Sequence, residues 1–168
     1  MLKTAAKLFL LTFIMVTGTV GGAAAKGYEP VSSSEIQETV FINRMDVGES
    51  VYVEIDPIQW YEGEEANKIF REREGDPEMT EAPDGYYIVN DETDTEKVQI
   101  ADNAEVVLQL YDKTGRMEDT EINWNEQVSL ETLKKAFSRS DVLDMTAFPY
   151  HIMIKDGKIV KIVQQYIP

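Results

Sequence analysis

The clearest hydrophobic pattern in the chain is an alternation with period two. Val51, Val53 and Ile55 alternate with Tyr52, Glu54 and Asp56, which predicts a half-buried strand over residues 50–56. A partner strand is expected over 39–45, joined through the Gly48-containing loop 46–49 at hairpin length. Pro57 has no N–H to donate, so it should end regular pairing or sit at an edge. The period then changes. Ala66, Ile69 and Phe70 form a helical stripe within 64–74, with Glu62, Glu64 and Glu65 around its first turn and Gly75-Asp76-Pro77 as its stop. Residues 78–85 read as an acidic loop, 86–89 as a strand and 90–96 as a polar turn. Further strands are expected at 97–100 and 105–111, followed by a long loop over 112–127 carrying Trp124. Ser129 is placed to N-cap a second helix whose apolar face is Leu130, Leu133 and Phe137. The strongest local signal is the last: apolar runs at 150–154 and 159–166 around Asp156-Gly157 predict a tight hairpin.

Six or seven short strands and two modest helices make a mainly β domain. The order fits an OB-like small antiparallel β-barrel, in which the helix would lie between the third and fourth strands. The alternative is an open antiparallel sheet with a packed helix. A doubly wound parallel sheet is disfavoured because strands and helices do not alternate. The stripe Ala66, Ile69 and Phe70 is expected to plug or cap the barrel.

The first 25 residues change the picture. Lys3 and Lys7 precede an apolar run at 8–16, and Ala23-Ala24-Ala25 fits a cleavage site, so 1–25 reads as a signal peptide. The apolar run is well short of the ~20 residues a spanning helix needs. A polar leader follows at 26–37, and a single β-rich domain at 38–168. The sequence has no cysteine, so it carries neither a disulfide framework nor a lipidation thiol. A secreted or cell-wall-associated protein of a Gram-positive bacterium is the expectation.

The net charge is −15, and loss of Lys3 and Lys7 with the signal makes the mature chain more acidic still. Such a surface repels phosphates and anionic headgroups, which argues against nucleic-acid binding and stable membrane insertion, and favours cationic partners. No P-loop, dinucleotide fingerprint or zinc-protease helix motif is present. His151 is the only histidine, expected on a surface or rim, so a histidine-rich zinc site and a serine triad have little to build on. The carboxylates Asp56, Glu62, Glu64 and Glu65 could serve acid–base chemistry or a hard cation, although glutamates at a helix start also answer the helix dipole. Asn90, Asp91, Glu92, Asp94 and Glu96 offer oxygen ligands without EF-hand spacing.

Residues 56–91 hold the words Gly63-Glu64-Glu65-Ala66 and Asp84-Gly85-Tyr86-Tyr87-Ile88-Val89-Asn90-Asp91. In these the chain resembles a group of small exported or lipoprotein-like proteins of Gram-positive bacteria, mostly uncharacterised. No catalytic residues come with the resemblance, and the missing lipobox cysteine sets this chain apart from lipoprotein members.

The function expected is that of a secreted, monomeric, acidic, non-catalytic binding module without a cofactor, for an extracellular protein or a cell-wall component. Its working edge would comprise Trp60, Tyr61, Glu64, Glu65, Tyr86, Tyr87 and Asn90. One alternative is a calcium-binding module using Asn90, Asp91, Glu92, Asp94 and Glu96. A second is a carboxylate-dependent cell-wall hydrolase.

Overall fold

The computed structural model describes Gly27 and residues 36–75, 78–92 and 94–168. The expected signal segment and most of the leader lie outside the described residues. The described residues form seven strands: β1 Glu38–Val47, β2 Val51–Glu62, β3 Tyr86–Val89, β4 Glu96–Tyr111, β5 Glu121–Val128, β6 Pro149–Lys155 and β7 Lys158–Gln164. Two α-helices accompany them, α1 Gly63–Glu74 and α2 Leu130–Phe137.

Five strands close into a mixed barrel with the ring order β1-β2-β4-β7-β6, because β2 pairs with β4 as well as with β1. The remaining two are additions: β3 pairs with the far half of β2 and β5 with the far half of β4. Among the barrel strands alone, α2 lies between the third and the fourth, which gives the OB-like connectivity. One difference from an all-antiparallel barrel is the parallel β4–β7 pair. It arises because the chain crosses over through α2 and β6 before β7 returns alongside β4.

The core follows the alternation. Val40, Ile42, Val53, Ile55, Ile100, Val106, Leu108 and Ile162 are almost wholly buried inside the barrel. Bulges keep this phase: the register of β1 against β2 shifts between Ile42 and Arg44, so that Met45 still packs against the core. The helix that fills the barrel is α2, through Leu133 and Ala136. Ser129 caps it, its side chain accepting from the Thr132 N–H. The Asp156-Gly157 turn has both residues at positive φ, 52° and 74°, which suits the twist of a two-residue hairpin.

Several expectations are corrected. Helix α1 does not plug the barrel; it forms a separate cluster of Ala66 and Phe70 with Ala82, against which Tyr61 and Tyr87 pack. Strand β2 does not end at Pro57, which stays opposite Val40, but it is an edge there as expected, because β4 pairs with β2 only as far as Ile55 and β3 only from Gln59. The strands expected at 97–100 and 105–111 are one bent strand, whose register with β7 shifts between Ile100 and Glu105. The loop expected at 112–127 contains β5. Gln37, just before β1, is tied to β6: its N–H donates to the Ile152 carbonyl, and its side-chain oxygen accepts from the Ile154 N–H. Among the described residues no helix is long and apolar enough to cross a membrane.

Candidate functional site

Beyond the barrel, β2 and β3 continue as a two-stranded ribbon in which Trp60 faces Ile88, Tyr61 faces Tyr87 and Glu62 faces Tyr86. Strand geometry sends neighbours to opposite faces, so Trp60 and Tyr61 separate. Tyr61 and Tyr87 lie on the face covered by α1, where the Tyr87 ring meets Phe70 edge-on at 5.6 Å. The Tyr87 hydroxyl donates to Glu74, which raises its pKa. These two tyrosines are therefore packing residues.

Trp60 and Tyr86 occupy the opposite face, which continues the outer surface of the barrel. Their rings stack at 4.7 Å with planes 15° apart. The indole N–H donates to Glu62 at 2.9 Å. Both rings are half-buried, and neither belongs to the barrel core or to the α1 cluster. Glu64 and Glu65 are exposed in the first turn of α1, directly after Glu62. Asp84 raises the pKa of the Tyr86 hydroxyl, second to the effect of burial.

Next to this pair lies His151, which is 5% exposed. Its expected surface or rim position is thus overturned, because the strand PYHIMI is covered on both faces. Trp60 meets the imidazole edge-on at 6.4 Å. Nδ1 lies 3.0 Å from Thr39 Oγ1, and Nε2 lies 2.9 Å from Gln165 Oε1. The Gln165 amide nitrogen donates to the Tyr166 carbonyl, so Oε1 must accept. Nε2 therefore carries the proton, and the Thr39 hydroxyl donates to Nδ1 of a neutral ring. Burial lowers the His151 pKa, against the opposing pull of Gln165 and Glu62. The unfolded imidazole takes up its proton near pH 6.5, before the folded one does. The contribution is therefore complete above that pH and is lost as the pH falls below it. The melting temperature should drop between pH 7.5 and 5, and a His151→Gln variant should lack that step. Thermal unfolding across this range checks it.

Asn90 follows directly on β3. Its amide donates to Asp56 at 2.9 Å, tying the end of β3 to the middle of β2. Asp91 accepts two hydrogen bonds from Arg73 at 2.9 and 2.6 Å. Arg73 and Asp91 line a cleft of about 260 Å³ with Pro57, Ile58, Val89 and Glu92. The oxygen ligands of the calcium alternative are thus partly engaged. Among the described residues, no three histidine, aspartate or glutamate side chains converge as a metal site.

Among the described residues, four carboxyls are held below their ordinary range. Lys97 holds Asp46 down, Arg73 holds Asp91 down, and Thr114 with Arg116 holds Asp119 down. At Asp112 burial pushes upward but is outweighed by Arg139 and two backbone N–H groups.

Of the seven residues expected at the working edge, the ribbon stacks Trp60 on Tyr86 and turns Tyr61 and Tyr87 to the helix, while Glu64 and Glu65 lie exposed at the start of α1 and Asn90 bonds to Asp56. Glu62, expected only as one of the candidate carboxylates, joins the site as the acceptor of the indole N–H, and His151 joins it without having been expected there. The signal for Glu62 was its spacing two residues from Trp60, which puts both side chains on one face of a strand. Comparison of the chain with protein-family models, curated proteins and solved structures finds no match.

Proposed function

We propose that the protein is an exported, non-catalytic binding module whose working surface is the outer face of the β2–β3 ribbon and whose partner is cationic. The observation that carries this reading is the Trp60–Tyr86 stack, left outside both hydrophobic clusters and edged by Glu62. Half-exposed aromatic faces attract ammonium and guanidinium groups, and adjacent carboxylates add to that attraction. The charge distribution supports it further. Residues 56–92 hold twelve carboxylates against three cations, a net −9 of the whole chain's −15. The ribbon extends the second barrel strand towards the third, and OB barrels bind ligands on that side, a support by analogy of fold. The resemblance to small exported proteins of Gram-positive bacteria favours an extracellular protein or wall component as the source of the cation.

Trp60 and Trp124 are the two tryptophans, so a Trp124→Phe variant reports on Trp60 alone. A lysine-rich peptide should change its fluorescence saturably, with affinity that falls as salt is added. Tyr86→Ala should weaken binding about tenfold, the order expected for losing an aromatic partner of a cation. Fluorescence indifferent to the peptide at millimolar concentration would sink the proposal.

A further inference from the structure

Strand β3 is paired on one edge only. It hydrogen-bonds to β2 from Tyr86 to Val89, stands last in the sheet order, and among the described residues no strand takes its other edge. In an antiparallel pair, alternate residues turn their N–H and C=O away from the partner. Two of the four residues of β3 therefore present backbone donors and acceptors outward. One face of this strand is closed by α1 through Tyr87 and Phe70, and the other bears Tyr86 stacked on Trp60.

We infer that the partner binds by strand addition: an extended segment carrying lysine or arginine at alternate positions pairs with the open edge of β3. The inference rests on the reading that this face takes a cationic partner. In an added strand, alternate side chains project to one face. Cations on the outer face would come alongside Tyr86 and near Glu62 and Asp84. The intervening residues would face the α1 side, where Tyr87 and Phe70 pack. The same charges select the occupant. An unpaired edge also invites a second copy of the chain, but that copy would bring a second set of carboxylates against the first. The other added strand, β5, lacks this setting: its Glu126 is already paired with Lys113 at 2.8 Å.

The test is residue-resolved amide hydrogen exchange on the protein, free and saturated with a peptide of alternating lysine and valine. Trp60 fluorescence in the Trp124→Phe variant reports binding independently. Strand addition predicts that two alternate amides of β3 slow at least tenfold, while those already bonded to β2 change little. Binding seen by fluorescence without that protection overturns strand addition and leaves the cationic reading standing. Protection along β5 instead of β3 overturns it equally. An equal response to a peptide of alternating glutamate and valine removes the charge selection, and no binding of the lysine peptide overturns both readings.

Discussion

Replacing Gln164 by methionine is expected to cost about 2–4 kcal/mol of folding stability, read as a fall in the urea midpoint with an unchanged slope. Gln164 is 1% exposed. Its side-chain oxygen accepts from two backbone N–H groups, those of Gln109 and Leu110, at 2.8 and 2.9 Å. The parallel β4–β7 pairing runs to Val107 and Val163, and β4 bulges against β5 between Leu108 and Leu110. The glutamine thus supplies an acceptor where the ladder stops. Methionine keeps much of the volume but leaves two buried donors unpaired, each worth ~1–3 kcal/mol. A partial offset comes from the amide nitrogen of Gln164, which has no partner among the described residues and would be removed as well. A loss below about 1 kcal/mol would mean that water or a local shift satisfies the bulge.

Asp112→Ala should cost about 3 kcal/mol, at the low end for breaking a buried charge pair because Arg139 is partly exposed. Asp112 is 3% exposed at the end of β4. One oxygen accepts from the Thr114 and Gly115 N–H groups, and the other from Arg139 at 2.8 Å. The carboxylate therefore joins the loop after β4 to the segment after α2. Asp112→Asn keeps an acceptor for the loop and should cost less. The pH dependence follows in sign. The folded carboxyl titrates below its ordinary value, so its contribution is present at neutral pH, above the unfolded pKa of about 3.9. It is lost as the pH falls through that value towards the folded one. The stability gap between the wild type and Asp112→Asn should accordingly narrow on acidification, measurable by urea titration at a series of pH values.

Much of the barrel could be read from local chemistry. The Val51, Val53, Ile55 alternation, the Ser129 cap and the Asp156-Gly157 turn each specify their element by short-range geometry. Strand β5 was harder. Ile122, Trp124 and Val128 do alternate, but Asn123 and Asn125 read as loop residues, and Asn125 does adopt positive φ, 56°. The continuity of β4 was also hidden, since Ala101-Asp102-Asn103-Ala104 reads as a break, and it is the flanking residues Ile100 and Glu105 that pair with β7. At the candidate site, strand alternation separates Trp60 from Tyr61, and Tyr86 from Tyr87. Which member of each pair meets α1 depends on where the helix docks, and that is a tertiary fact. His151 was misplaced for a similar reason. Its cover comes from Trp60 on β2, and its hydrogen bonds come from Thr39 on β1 and Gln165 after β7.

The separateness of the α1 cluster bears on how the molecule breathes. Among the described residues, three buried side chains form the cluster that holds α1, against eighteen in the cluster formed by the barrel and α2. Regions with few buried apolar contacts open at a free energy well below that of global unfolding. The ribbon can therefore fray while the barrel stays closed. The face carrying Trp60 and Tyr86 would then be an equilibrium between a formed and an opened ribbon, and a partner that selects the formed state gives up part of its intrinsic affinity to draw the ribbon closed.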